Sequence, residues 1–355
     1  MAYTPVPHDP SLPPIRINLL SDTQTRPTVA MRKAMSDAEV GDEQFGLDPT
    51  VNALCARVAA LLGKEAAMFL PSGTMCNVVA LLTHCRPGDE ILAHETAHVL
   101  TSEGGTHAAL GGFQIFPLQG PRGQFSGATL TAALRTPSRY APRQVVVSAE
   151  QTANIGGGTI WPKTNLDEVA RIAKASGLAT HLDGARLMNA CVATGIAAHD
   201  MAAGWDTVWL DFTKGLGAPL GAALAGSREF IGEAWRWKQR LGGSMRQAGL
   251  SAAGCLYALD HHIDRLKDDH DNARLLASGL AQIPGFQVQS PDTNLVFFDT
   301  KAASLPPQRL ITTLRQHGIL MSTLGGRIRA CTHLDVTSAM IEETLGLIRE
   351  VARAV

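Results

Sequence analysis

Net charge is nearly absent from this chain. Its 31 Lys and Arg stand against 32 Asp and Glu, a balance of −1 over 355 residues, so no basic field is available for nucleic acid or an anionic membrane surface. Long hydrophobic runs are missing as well, and no stretch stays apolar over a membrane-spanning length. Residues 1–14 are broken by prolines and lack the basic start and apolar run of a secretory signal. A soluble, cytoplasmic protein is the expectation. The six cysteines, Cys55, Cys76, Cys85, Cys191, Cys255 and Cys331, contain no Cys-x-x-Cys pair. That argues against a disulfide frame or a zinc site and for reduced, mostly buried thiols. His261, His262 and His270 lie near Asp264, Asp268 and Asp269, but in a charged helical stretch, which reads as a solvated helix face. No metal is expected. Internal repeats, low-complexity tracts and flexible linkers are also lacking.

What remains is an ordinary globular composition, 45% hydrophobic, long enough for one large and one small domain. Asp48 reads as the cap of a helix with Pro49 in its first turn, apolar residues at 51, 54, 55, 58, 61 and 62, and Gly63 as its stop. A second apolar helix begins at Ser72-Gly73-Thr74. Strand-like runs near 90–93, 114–117, 144–147, 178–182, 207–212 and 222–225 then alternate with helices, one of them at 165–176 with Asn165 and Glu168 as a capping box. This alternation predicts a mostly parallel sheet covered on both faces by helices. After Gly243 the pattern changes to a long helical region at 245–281 and a small α/β unit. The expected division is an extension over 1–20, a large domain over 21–245 and a small domain over 246–355.

Two stretches carry chemistry: His181-Leu182-Asp183-Gly184-Ala185-Arg186 and Thr213-Lys214-Gly215-Leu216-Gly217-Ala218-Pro219. Each places a charge where an apolar strand gives way to glycine, at the carboxyl end where open α/β sheets hold their ligands. Singly, Asp183 is readily explained as a turn former and Lys214 as a solvated charge. Together they are the amine and the acid that pyridoxal 5'-phosphate requires, one for a Schiff base and one for the pyridinium nitrogen.

The chain resembles the threonine aldolase family of pyridoxal-phosphate enzymes, with the type I transferase fold of aspartate aminotransferase. The marks are Ser21-Asp22-Thr23-Gln24-Thr25-Arg26-Pro27, Gly46-Leu47-Asp48-Pro49-Thr50, Ser72-Gly73-Thr74-Met75-Cys76-Asn77, the two stretches above, Gly242-Gly243-Ser244-Met245-Arg246-Gln247 and Arg329-Ala330-Cys331-Thr332-His333-Leu334-Asp335. The resemblance implies that Ser72, Gly73 and Thr74 hold the cofactor phosphate, where a helix amino terminus suits an anion. It implies that His98 stacks on the ring near the substrate hydroxyl, where the ring or a water it positions takes the proton, and that Asp183 and Lys214 serve the ring nitrogen and the Schiff base. Arg186 contacts cofactor and substrate carboxylate, Arg329 and Ser21 hold the same carboxylate, and Arg246 approaches the neighbouring subunit of a homo-oligomer, a dimer at least and a tetramer by expectation. The implied reaction cleaves L-β-hydroxy-α-amino acids, threonine and allo-threonine among them, to glycine and an aldehyde.

Two departures bear on substrate choice. Where many members carry a histidine after Glu-x-Thr, this chain reads Glu150-Gln151-Thr152-Ala153, and Phe45 stands where a tyrosine is common. The expectation is weak discrimination at Cβ and room for a bulky β substituent beside Phe45 and Ala153. The rivals are an aminotransferase or β-eliminating lyase on the same fold, and a silent binding protein. The intact lysine, aspartate and arginines argue against the last.

Overall fold

The computed structural model describes residues 9–354. After a short β1 (Ile17–Asn18), the predicted alternation is present as β2 (Ala66–Leu70), β3 (Asp89–His94), β4 (Gln114–Leu118), β5 (Arg143–Glu150), β6 (Ala179–Asp183), β7 (Thr207–Asp211) and β8 (Ala222–Gly226). These seven form one sheet in the order β2-β8-β7-β6-β5-β3-β4, in which β8 alone runs antiparallel to its neighbours. Every residue of β3, β7 and β8 is buried, as expected of strands covered by helices on both faces.

Local signals set several helix ends. Asp48 caps Pro49–Leu62 by accepting from Val51 N at 2.9 Å, and Gly63 closes it with φ of 63°, a left-handed conformation suited to glycine. Ser72 caps Gly73–His84 in the same manner. The capping box expected at Asn165 and Glu168 is not formed. That helix is Lys163–Ala175, entered from Pro162 without a side-chain cap. Asn165 Nδ2 instead donates to Phe125 O at 3.1 Å, and Glu168 lies over Gly127, so both side chains face the neighbouring segment.

The long helical region resolves into Gly249–His261 and Leu266–Ala281. It is not the solvated face that its charges suggested: His262, Asp269 and His270 are buried. His262 Nδ1 lies 2.7 Å from Leu216 O, Asp269 pairs with Arg265, and His270 sits 3.3 Å from Asn189. These polar groups face inward because the helices pass between two cores. Ala252, Cys255, Ala258 and Leu266 pack under the large sheet, whereas Ala273, Leu276 and Leu280 join a second cluster. The change of core therefore falls inside Leu266–Ala281, some way beyond residue 245.

The second cluster is built on β9 (Gln287–Val288), β10 (Leu295–Asp299), β11 (Ile319–Leu320), β12 (Ser322–Leu324) and β13 (Arg327–Cys331). An antiparallel sheet runs β12-β13-β10-β9, covered by Pro307–Gln316 and Ser338–Arg353. β1 pairs in parallel with β11, Ile17 opposite Ile319, so the first described segment is stitched to this unit. Among the described residues no helix is long and apolar enough to cross a membrane.

One buried ion pair ties distant segments of the large unit. Lys238 contacts Glu43, both nearly inaccessible, while Glu43 Oε2 accepts from Met245 N at 2.9 Å and Glu43 N donates to Arg246 O at 2.9 Å. Burial lowers the Lys238 pKa despite the carboxylate beside it. Glu43→Gln leaves an uncompensated ammonium, and a loss of about 3 kcal/mol is expected in urea unfolding; a change below about 1 kcal/mol would show that the pair does not hold this junction.

Candidate active site

The carboxyl ends of β5, β6 and β7 form the floor of a cavity of about 300 Å³, at the lower end of the range for small-molecule sites. Among the residues lining it are Ser72, Gly73, Thr74, His98, Asp183, Arg186 and Lys214, so the sequence-predicted set largely converges. Lys214 follows β7 by three residues, and its ammonium contacts Asp211. Burial works against the charged amine, but Asp211 outweighs it and the Lys214 pKa is raised. Asp211 Oδ1 also accepts from Thr213 N and Oγ1, at 2.9 and 2.8 Å, which fixes the turn carrying the lysine.

Asp183 is held by the interior of the protein. The Trp209 indole can only donate, so the atom of Asn77 that it meets at 2.7 Å is the carbonyl oxygen. The amide nitrogen of Asn77 is thereby turned toward the acids and donates to Asp183 Oδ2 at 2.8 Å and Glu103 Oε1 at 2.7 Å. Asn77 Oδ1 also receives His181 Nε2 at 3.0 Å, and His181 Nδ1 lies 2.9 Å from Thr207 Oγ1. Burial drives the His181 pKa down to about 3, with His84 adding to the shift, so this ring stays neutral. Asp183 Oδ1 accepts from Ala185 N at 3.0 Å.

His98 stands at the cavity wall with Nδ1 2.8 Å from Glu103 Oε1. Since the carboxylate accepts, Nδ1 carries hydrogen and a neutral ring presents its lone pair at Nε2. Burial opposes protonation of the ring, but Glu103, Asp183 and Glu150 together raise its pKa. Opposite, the first turn of Gly73–His84 offers backbone N–H groups without intrahelical acceptors, an anion site by construction. A Cβ on Gly73 would lie 2.4 Å from Trp209 Cη2, so only glycine lets the helix approach so closely.

Four further predicted residues have partners of their own. Arg186 lines the cavity but is already engaged by Asp22, through Nε and Nη2 at 2.7 Å each. Burial favours the neutral acid, yet Arg186 and then Lys214 hold the Asp22 carboxyl far below the usual range. Ser21 is outside the lining. Its hydroxyl accepts from Thr23 N and Oγ1, and Thr23 reaches the wall instead. Arg329, also outside it, is buried and donates to Leu20 O at 2.9 Å and to Asn154 Oδ1 at 3.2 Å, while its Nε has no partner. Arg246 lies away from the cavity, exposed and 2.9 Å from Asp42.

The two residues invoked for a wide β-substituent pocket do not line this cavity. Ala153 is buried, its Cβ 2.7 Å from where a Gly123 Cβ would lie, and Asn154 forms the wall there. Phe45 is 75% exposed on the outer surface. Residues without an assigned role were Asp22, Asn77, Glu103, Glu150 and Asp211. Asn77, a polar residue inside the apolar run from Cys76 to Leu82, and Glu150, closing a strand as Asp183 does, carried the available signal.

The arrangement fits pyridoxal phosphate on its own chemistry: a buried amine, a carboxylate fixed by an internal amide, an anion-binding helix end and an unpartnered guanidinium nitrogen nearby. The sequence profile of the beta-eliminating lyase family matches residues 18–303. Low-specificity L-threonine aldolase 1 of Arabidopsis thaliana is 37% identical over 342 residues, covering 94% of this chain and 96% of that protein. The low specificity L-threonine aldolase of Escherichia coli K12 is 38% identical over 331 residues, covering 92% and 96%. The solved structure of Leishmania major threonine aldolase superposes with a TM-score of 0.83 at 21% identity, over 95% of this chain and 99% of that one, which gives the type I fold. The chain belongs to the beta-eliminating lyase family and, within it, to the threonine aldolases.

Proposed function

We propose that this protein is a pyridoxal-phosphate-dependent aldolase that cleaves L-threonine, L-allo-threonine and related L-β-hydroxy-α-amino acids, reversibly, to glycine and an aldehyde. The observation that carries this reading is the convergence of Lys214, Asp183, His98 and the first turn of Gly73–His84 on one cavity at the sheet's carboxyl edge. Bound there, pyridoxal phosphate supplies an electron sink for the bond broken between Cα and Cβ.

The protein's own residues do the rest. Lys214 would be the amine that holds the cofactor, and Asp183, kept as an acceptor by Asn77, would serve its ring nitrogen. Gly73 and Thr74 bind the phosphate through backbone N–H groups, with the Ser72 and Thr74 hydroxyls beside them. Arg186, anchored by Asp22, would present a cationic surface to cofactor and substrate, and the carboxylate clamp would draw on Thr23 at the wall, with Ser21 bonded to it and Arg329 behind Asn154. His98 takes the β-hydroxyl proton at Nε2 while Glu103 holds Nδ1–H. A clamped carboxylate would fix how the substituents at Cα are presented to the cofactor, and with that the preference for the L hand.

We place this chemistry in a homo-oligomer. Segments 42–48 and 245–250 are joined by Glu43 N to Arg246 O and by Gly249 N to Asp48 Oδ2, each at 2.9 Å. They carry the exposed Phe45, Leu47 and Leu250 around Arg246, an apolar surface suited to a second subunit. A dimer and its pairing into a tetramer are the proposed assemblies. The cysteines Cys55, Cys76, Cys85, Cys191, Cys255 and Cys331 are free, in keeping with the cytoplasm.

Purified protein given L-threonine should release glycine and acetaldehyde in equal amounts. Conversion of the cofactor to its amine form, or release of ammonia, would replace this reading with transamination or β-elimination. Lys214→Ala is expected to lose nearly all turnover, and borohydride should no longer fix the cofactor to the protein; retention of a reduced adduct at another lysine would move the assignment. Arg329→Ala should lower kcat/KM by tens to hundreds of fold, about 2–4 kcal/mol for a lost charge-assisted clamp, and wild-type efficiency would place the clamp elsewhere. With His98 as the imidazole on the cavity wall, discrimination between L-threonine and L-allo-threonine should be about several fold, the worth of a hydrogen bond that water can replace. A preference of about a hundredfold or more would show that another group reads the hydroxyl.

A further inference from the structure

β5 ends on Glu150, directly opposite Asp183 on β6 in the parallel ladder. Two buried acids thus share the edge of the sheet, and both line the cavity. The Glu150 carboxylate spans the two loops that flank the site. Oε2 accepts from the backbone N–H of His98 at 3.1 Å, and Oε1 accepts from that of Asn154 at 2.9 Å. Asn154 in turn meets Arg329. One carboxyl group therefore sets both the position of the imidazole on one wall and the amide on the other. Nothing in the phosphate, lysine or carboxylate machinery accounts for an acid at this place.

We propose that Glu150 is a positioning residue that holds His98 at the cavity wall through its backbone and, as a carboxylate beside it, biases the charge of its ring. This rests on the reading of His98 as the acceptor of the β-hydroxyl proton. The charged and titratable groups around the pair are Asp183 from β6, Glu103 from the segment after β3, Lys214 and Asp211 from the end of β7, Arg186 with Asp22, and Arg329 behind Asn154. Burial, and then Asp183, push the Glu150 pKa up to about 7, against the pull of His98 and the two backbone N–H groups. Glu150 in turn helps to raise the pKa of His98. With Glu150 ionised the imidazolium is favoured; with Glu150 protonated the ring is released to accept a proton. The pair thus keeps a base available near neutral pH although Glu103 and Asp183 both favour the charged ring.

Glu150→Gln removes the negative charge and keeps the shape, so His98 must titrate at lower pH. The test uses the holoenzyme and a readout other than turnover: the rate of diethyl pyrocarbonate modification at His98 against pH, followed by peptide mass spectrometry. Its midpoint should fall by about half a pH unit or more, a threefold change in proton affinity or greater. The acid limb of kcat/KM for threonine should move the same way, and Glu150→Asp should restore the midpoint most of the way. An unmoved His98 midpoint in a folded Glu150→Gln protein overturns the proposal, whatever happens to activity. Should that variant not fold, His98→Gln reads the same coupling from the other side. The infrared carbonyl band of protonated Glu150 must then persist to higher pH than in wild type, and an unchanged band overturns the proposal equally. A shifted His98 midpoint in a protein that yields no glycine from threonine would leave the coupling of Glu150 to His98 standing and remove only the aldolase reading.

Discussion

Asn77 lies at full burial on the inner face of the helix Gly73–His84, and its amide touches Trp209, His181, Asp183 and Glu103. An indole N–H has one possible role, and that role propagates. It makes the oxygen of Asn77 an acceptor, which makes its nitrogen a donor to both acids and requires a hydrogen on His181 Nε2. The polarity of the site is thus set from the core outward. Asp183 is kept as an acceptor on the side facing the helix, and Glu103 is kept available to His98. Because a buried polar group left unpaired is costly, exchanging any one member disturbs all the others. Gly73 belongs to the same constraint, since Trp209 reaches Asn77 only by passing where a Cβ at 73 would stand.

A second junction joins the two cores. Asp22 is engaged by Arg186 from the large unit and by Asn294 of the small unit, while its own N–H meets Cys331 Sγ at 3.2 Å. With β1 paired to β11, the segment around residues 17–25 is structurally part of the small unit and chemically part of the large one. Thr25 Oγ1 even donates to Lys214 O at 3.0 Å, tying the turn of the lysine to this segment. The arginine expected to grip substrate is first of all a member of this junction. Its cationic surface is held in place because both partners are buried in good bidentate geometry.

The sheet, and the convergence of Lys214, Asp183 and the Gly73 helix start on its edge, are legible because their signals are local. A β-rich run ending in a charge and glycine marks a strand edge, and Asp48-Pro49 marks a helix start, whatever the rest of the chain does. The failures came where a residue's role is decided by a distant neighbour. Asn165 and Glu168 had the spacing of a capping box, but Phe125 and Gly127 offered them other contacts. The charges around His270 looked solvated because nothing in sequence reveals that the small unit closes over that helix. For Ala153 and Phe45 a motif gives the position but not which way the loop turns the side chain, and neither lines the cavity of a single chain. Asp22 and Glu103 carry no comparable signal, since Asp22 is defined by Arg186 and Asn294 and Glu103 by Asn77 and a histidine that only the fold turns toward it.

The balance of charge in the cavity gives the last constraint. Asp22, Glu103, Glu150, Asp183 and Asp211 surround Lys214, Arg186 and His98. Asp22 is matched by Arg186 and Asp211 by Lys214, which leaves Glu103, Asp183 and Glu150 with one imidazole among them. Two of these acids have neutral donors to spread their charge, Asn77 and Ala185 N for Asp183, Asn77 and His98 for Glu103. Glu150 likewise has two donors, the backbone N–H groups of His98 and Asn154, but burial and the neighbouring Asp183 outweigh them and push it toward protonation. A phosphate can then be bound only by groups that bring no further pairing demand, which is what the bare N–H groups of a helix end provide. The surplus of acids makes a positive charge favourable beside Asp183, and burial together with that neighbour pushes the Glu150 carboxyl toward its neutral form.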